Sequence, residues 1–383
     1  MQNSARIIVA LSGGVDSAVA AWLLLRQGHD VECLHMSNWD DDDGYCTAAG
    51  DLQDARKVAE QLGLTLHRVN FAREYRAAVF DDFLAECNAG RTPNPDVLCN
   101  REIKFGAMLR YAKRLGADKL ATGHYARLAD VAGERILQKA KDKTKDQSYF
   151  LHAVAAADFA DVIFPLGELS KLEVRAMAQQ AGLDVADKRD STGICFIGER
   201  PFDRFLSQFL APRPGPIVTA AGAVIGEHQG LHFYTLGQRK GLRIGGIEAA
   251  DEKPWYVAAK RNEQNELVVV QGTDHPALTS DWLKTDSVHW IGAPPAAWQS
   301  GGRLRLKVKT RYRQADQAAS VFHIGSGCAN VVFDAPQRAV TPGQYAVFYL
   351  DDRCLGGASI RATGKDQINA AATAEAGRST AII

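Results

Sequence analysis

The sequence predicts an α/β domain built on a parallel sheet, followed by two small β domains, the last of them a β-barrel. Three observations carry this prediction. Apolar strands alternate with amphipathic helices through the first part of the chain, the pattern of a parallel sheet with helices on both faces. A cluster of turn formers, Pro212, Pro214, Gly215 and Pro216, then breaks the pattern, and short strands with glycine turns follow. A second break lies at His275-Pro276, beyond which strand patterning resumes. The expected divisions are residues 1–210, 211–275 and 276–363, with 364–383 as a loose tail rich in Ala, Thr and Ser.

In order along the chain, Arg6 to Leu11 reads as a buried strand and Asp16 to Gln27 as a helix with Val19, Trp22 and Leu23 on one face. Gly28 stops that helix, since glycine takes a left-handed backbone at little cost. Val31 to Met36 is the next strand. Asp51 to Leu62 is a helix with Leu52, Ala55, Val58, Ala59 and Leu62 at helical spacing, closed by Gly63. Leu64 to Phe71 is a third strand, and Lys119 to Thr122 begins another after a helix ending near Gly116. Ser170-Lys171-Leu172-Glu173 is a capping box opening a helix that ends near Gly182. Beyond residue 211 the expected strands are Ile217 to Val218, Leu231 to Tyr234, Trp255 to Ala258 and Glu266 to Gln271. After His275 they are Leu304 to Tyr312, Asn330 to Phe333 and Ala346 to Tyr349, with Thr341-Pro342-Gly343 as a turn.

The 383 residues are enough for two or three domains, at roughly one domain per 150 residues. Lysine plus arginine equals aspartate plus glutamate, 45 of each, so any nucleic-acid site must be a local patch rather than bulk charge. The seven cysteines are Cys33, Cys46, Cys87, Cys99, Cys195, Cys328 and Cys354. Their number is odd and none lie three or four positions apart, which argues against a secreted disulfide framework, a zinc knuckle or a clustered iron–sulfur loop. A reduced cytoplasm is the expected compartment, with a reactive thiol or transient disulfide as the special use. No run of eighteen apolar residues is present, so no membrane partner is expected.

The strongest local signal is Ser12-Gly13-Gly14-Val15-Asp16-Ser17, between a strand and a helix. Two glycines let the backbone approach a ligand, the helix N-terminus offers free N–H groups, and two serine hydroxyls add donors. Together they suit a pyrophosphate-like anion. The Gly-Lys-Ser/Thr ending of a Walker loop is missing. The loop resembles that of the PP-loop ATP pyrophosphatases, which split ATP into AMP and pyrophosphate while adenylating an oxygen. Met36 and Gly123 lie at the carboxyl ends of strands, where ligands of open α/β sheets bind, though either residue could equally be packing.

The second signal is Arg91 to Asn100, RTPNPDVLCN, where two prolines stiffen an extended stretch that presents Asp96 and Cys99 just before a helix. A thiol at a helix start has more thiolate. The third is Asp190 to Gly198, which places Cys195 in a glycine-bounded apolar segment. Cys33, Cys87, Cys328 and Cys354 are expected to be small buried hydrophobes, and Cys46 is left open. Arg303 to Arg313 alternates with period two, so six cations should share one strand face, favouring contact with a phosphate backbone. Arg239, Lys240 and Arg243 extend that expectation. Asp40 to Asp43 reads as a solvated acidic loop.

The loop at 12–17, RTPNPDVLCN, ATGHYAR, KDQSYFL, DSTGICFIG, GQRKGL and TRYRQ occur in one order along the chain, and together they resemble the tRNA-specific 2-thiouridylase family from about residue 6 to about residue 361. The resemblance implies ATP-dependent 2-thiolation of the wobble uridine of tRNA. It implies that Ala10, Leu11, Ser12, Gly13, Gly14, Val15, Asp16 and Ser17 hold ATP phosphates, with Met36 and Gly123 on the nucleotide. Asn94, Pro95 and Asp96 would meet the target base. Cys99 would be the nucleophile, Cys195 the persulfide carrier and its partner in a redox disulfide, and Asp96 a general acid/base. His124, Lys145, Asp146, Gln147, Arg311, Tyr312 and Gln344 would touch tRNA. ATP with Mg²⁺ is the expected cofactor pair, with no protein metal ligands assigned, and a persulfide-carrying sulfur-relay protein is the expected donor. One rival is a PP-loop synthetase acting on a small molecule, as argininosuccinate, NAD or GMP synthetases do; it would need neither Cys99 nor Cys195. Another is an RNA-binding protein without catalysis.

Overall fold

A computed structural model describes residues 5–39, 48–190, 201–244 and 253–365. Cys46, Cys195, the acidic run 40–43 and the tail from 366 lie outside these residues.

The first sheet holds β1 (Arg6–Ala10), β2 (Asp30–Ser37), β3 (Leu66–Asn70), β4 (Lys119–Ala121) and, after a hairpin of β5 (Ala126–Val131) and β6 (Glu134–Lys139), β7 (Val162–Ile163). Its order is β3-β2-β1-β4-β7, and every pairing within it is parallel. Successive side chains of a strand point to opposite faces. Ile7 and Val9 therefore enter one core with α1 (Val15–Arg26) and α2 (Ala48–Leu62), while Ile8 enters the other with Phe80, Phe83 and Phe105. The chain runs leftward from β1 to β3 and then crosses to β4, so the order reverses between β1 and β4. Crevices at such reversals are where open α/β sheets bind ligands.

The two helices of 72–88 and 95–114 are each wound as a π-helix in part, over Arg76–Phe80 and Cys99–Met108. The expected capping box is formed: Ser170 Oγ accepts from Glu173 N, and the Glu173 carboxylate accepts from Ser170 N. The middle module is a four-stranded sheet of β8 (Gly215–Thr219), β9 (Val224–His228), β10 (Trp255–Arg261) and β11 (Glu266–Gln271). The strand expected at Leu231 to Tyr234 is instead a 3₁₀ turn over Leu231–Phe233. Leu231 and Tyr234 both face the core, and residues three apart share a side in a 3₁₀ turn but not in a strand.

The last module holds β12 (Thr279–Ser287), β13 (His289–Trp290), β14 (Arg303–Lys309), β15 (Gln317–His323), β16 (Cys328–Arg338), β17 (Tyr345–Leu350) and β18 (Arg353–Gly364). The order β12-β16-β15-β14-β17-β18 closes through a β12–β18 pairing, giving a six-stranded barrel. The β5–β6 hairpin turns at Ala132-Gly133, both at positive φ, and β6 pairs with β18, leaving β5 at the edge. A piece of chain from within the first module thus extends the sheet of the last. Among the described residues no helix is long and apolar enough to cross a membrane.

Candidate active site

The glycine loop lies at the sheet reversal, between β1 and α1. Gly13 has φ +82°, and a Cβ there would lie 2.2 Å from the carbonyl oxygen of Asp51. Glycine is thus required both by the backbone and by α2. The loop is held from within. Ser12 N donates to Ser17 Oγ at 3.1 Å, and Ser17 Oγ donates to Gly14 O at 3.0 Å. Outside it, Lys188 Nζ donates to Gly13 O and to the carboxylates of Asp51 and Asp54, at 3.1, 2.8 and 2.7 Å. Ala10 ends β1, Leu11 N donates to Leu34 O at 2.9 Å, and Met36 sits beyond them near the carboxyl end of β2. Gly123 closes the other side: a Cβ there would lie 2.8 Å from Ser17 N, so its backbone lies directly on the start of α1.

Asp16, in the first turn of α1, accepts from Tyr125 Oη at 2.8 Å and from Lys171 Nζ at 2.6 and 2.8 Å. Lys171 also pairs with Asp190, as do Lys145 and Arg175, at 2.7, 2.7 and 3.1 Å. Burial works to raise the Asp190 carboxyl, but hydrogen bonds from Lys145 and Lys171 outweigh it and hold the group at about 2. Asp190 is therefore ionised and clamped beside the loop. It is the first residue of the motif that contains Cys195, whose remaining residues lie outside those described.

The RTPNPD stretch is extended only as far as Asn94. Asn94 caps a helix that begins at Pro95, its side chain accepting from Asp96 N at 3.2 Å. Proline suits this first position because it lacks the N–H that the helix leaves unused there. Cys99 is therefore one turn inside the helix, not at its start. Asp96 and Cys99, three residues apart, share a face. Cys99 is buried, at 2% exposure. Burial raises the Asp96 carboxyl above its ordinary range, with the Lys104 ammonium opposing. His124 is pushed well below 6.5 by desolvation, and Lys104 adds to that shift, so its ring is neutral. Its Nδ1 bonds Thr122 Oγ1 at 2.7 Å, and the ring lies 5.7 Å from that of Phe105, on the same helix as Asp96 and Cys99. Loop, Gly123, His124 and the Asp96–Cys99 helix are thus in successive contact.

Asp96's folded pKa lies above its unfolded one, so the native state binds the proton more readily. Its ionised form costs stability once the pH rises above the unfolded value. We predict that Asp96→Asn raises Tm by a few degrees at neutral pH, and that the gain closes below about pH 4. Thermal unfolding of both proteins across a pH series measures this; a lower Tm for the variant at neutral pH would contradict it.

The residues expected at tRNA fall into two groups. Lys145, Gln147 and Tyr312 flank the loop region. Gln147 Oε1 accepts from Tyr125 N at 2.9 Å, and Tyr312 lies 4.5 Å from the Phe150 ring. Asp146 is buried and accepts from Ala140 N, Ser148 N and Ser148 Oγ. Arg311 and Gln344 sit where modules meet. Arg311 donates to Leu236 O and Ala339 O, both at 2.9 Å, and Gln344 Nε2 donates to Thr92 O at 2.7 Å. With Thr92 N bonded to Pro342 O at 3.0 Å and Lys260 Nζ to Gly90 O at 3.0 Å, all three modules hold the approach to Asn94.

The basic row at 303–313 is not the uninterrupted cationic face that its period suggests. The strand ends at Lys309, Arg305 pairs with Asp334, Lys307 with Asp351, and Lys309 turns inward between Asp146 and Asp316. β16 and three turns or loops supply the acids that the row itself lacks. Cys33, Cys87 and Cys354 are buried thiols pushed to about 12 by desolvation, whereas Cys328, at a strand end, is half-buried. Sequence reasoning gave no role to Lys104, Tyr125, Lys171 or Lys188. The one available signal was the four-residue spacing of Asp96, Asn100 and Lys104 on one helix.

Residues 5–199 match a family model described as tRNA methyl transferase HUP domain, 203–271 one described as tRNA methyl transferase PRC-barrel domain, and 280–360 one described as aminomethyltransferase beta-barrel domain. The chain is 56% identical over 364 residues to the tRNA-specific 2-thiouridylase MnmA of Chromohalobacter salexigens, with 94% of each chain covered. It is 55% identical to that of Marinobacter nauticus, covering 94% of this chain and 92% of the relative. It is 54% identical to that of Shigella boydii, covering 94% and 97%. The chain belongs to the tRNA-specific 2-thiouridylase family.

Proposed function

We propose that this enzyme, an ATP-using tRNA 2-thiouridylase, performs adenylation and sulfur transfer on the wobble uridine in one site between the glycine loop and the Asp96–Cys99 helix. The supporting observation is the line of contacts from Ser17 through Gly123 and His124 to that helix.

The C2 carbonyl oxygen of uridine is a poor leaving group. With ATP phosphates on the loop N–H groups, O2 attacks the α-phosphorus, an O2–P bond forms, and the bond to the β-phosphate breaks to release pyrophosphate. The N3 proton passes to Asp96, whose raised pKa brings it nearer the working pH, as a general acid/base requires. Mg²⁺ accompanying ATP would offset phosphate charge during the transfer.

The terminal sulfur of a Cys195 persulfide then attacks C2, and AMP leaves with the former O2. Cys99 thiolate attacks the Cys195 sulfur. The S–S bond to the base breaks, its electron pair stays on the base sulfur, and N3 regains a proton. A Cys99–Cys195 disulfide remains, which a two-electron cellular reductant reopens. Cys195 lies five positions beyond the clamped Asp190, a reach of at most about 18 Å. A persulfide-carrying protein recharges Cys195, consistent with work in a reducing cytoplasm.

Incubation with tRNA, ATP, Mg²⁺ and a persulfide donor, followed by mass spectrometry of nucleosides, tests this. One uridine should gain the mass difference of sulfur over oxygen, and only with ATP. ATP-independent gain, or none with active tRNA, overturns it.

A further inference from the structure

A cavity of about 470 Å³ opens beside the target-base segment, between the first and middle modules. Thr92 and Pro93 form one wall, immediately before Asn94 in the chain. Phe202 and Phe233 contribute aromatic surface. Phe202 is 37% exposed, unusual for so large an apolar ring, and among the described residues its ring contact is an edge-on one with Phe83, 6.4 Å between centroids. His232 supplies a polar group: its Nε2 is buried without a hydrogen-bond partner. Desolvation, reinforced by Lys260 and Arg213, lowers the His232 pKa, so the neutral ring carries one donor and one acceptor. A buried polar nitrogen without a partner is costly unless something fills its place.

The rim adds charge. Arg243 lines the mouth, and Arg239 and Lys240 are exposed in the preceding turn. Among the described residues none of these three forms an ion pair, in contrast to the row at 303–313. The carboxylates of Asp203 and Glu227 also line the cavity and offer acceptors to exocyclic amines. Aromatic faces, one unsatisfied polar edge and unpaired cations outside form the pattern by which proteins hold an unstacked base of a single-stranded loop.

We propose that this cavity receives the base of a nucleotide neighbouring the target uridine, stacked on Phe202 and bonded by His232, with the rim cations on its phosphates. The proposal rests on the thiolation reading. It commits to RNA because the cavity shares Thr92 and Pro93 with the approach to the target base.

The test uses the full chain and stem–loop RNAs that carry the target uridine, with single abasic substitutions at each other loop position. For the wild type, one abasic position should raise KM about 10-fold, with kcat unchanged, as loss of one stacked base predicts. In Phe202→Ala, and independently in His232→Leu, the same abasic position should cost less than about 2-fold, because the partner is already gone. An abasic penalty that survives undiminished in both variants at every position overturns the proposal. So does a Phe202→Ala enzyme as efficient as wild type on intact RNA, which would point to a small-molecule occupant or none. Failure of the wild type to thiolate any of these RNAs would instead count against the thiolation reading.

Discussion

Replacing Cys99 by Ala is expected to abolish 2-thiouridine formation, by roughly 10³-fold or more, while leaving ATP-dependent pyrophosphate release within a few-fold of wild type. The two halves of the reaction use different groups. Adenylation needs the loop and a base for the N3 proton, and neither is a thiol. Cys195→Ala should show the same split. Cys99→Ser controls for packing, since Cys99 is buried in the core of the 95–114 helix and a methyl-sized void there would itself destabilise. Pyrophosphate release and nucleoside mass spectrometry on the same samples separate the steps. If both alanine variants still thiolate, the thiol relay is wrong, and the small-molecule synthetase rival regains ground.

Gly13→Ala should remove both halves. Its φ of +82° already disfavours a side chain, and the new Cβ would sit 2.2 Å from a backbone oxygen of α2, which has no flexible end to move aside. The loop must shift, and displacement on the scale of 1 Å can cost about 10²-fold in rate. Gly28→Ala is the matched control. It shares the conformation, at φ +81°, but has nothing within 4 Å of the added carbon. It should lose roughly 1 kcal/mol of stability and keep full activity. ATP binding and pyrophosphate release measure the difference. Equal behaviour of the two variants would mean that close approach to α2 is irrelevant to the loop.

Much of this architecture was legible in the sequence because its signals are local. The strand–glycine–helix order around residues 6–27 sets the tight turn between β1 and α1 from local signals, and the capping box at Ser170 needs only four consecutive residues. The barrel was legible from strand patterning, but its closure through β12 and β18 joins residues some eighty positions apart. Errors came where distant chain decides. Leu231 to Tyr234 has strand-like composition, yet the middle core asks two residues three apart to face one way. The cations at 303–313 look unopposed until β16 and β17 bring Asp334 and the turn at Asp351 alongside. The clamp on Asp190 was invisible for the same reason: Lys145 comes from one segment and Lys171 and Arg175 from the helix at 171–180, both distant in sequence from Asp190.

The path of one oxygen atom tests the central claim most directly. In the thiolation reaction, tRNA carrying ¹⁸O at C2 of the target uridine should deliver that label into the phosphate of AMP, one atom per thiouridine formed. AMP free of label, with thiouridine still produced, would show that the base oxygen is never adenylated and would contradict the account at its root.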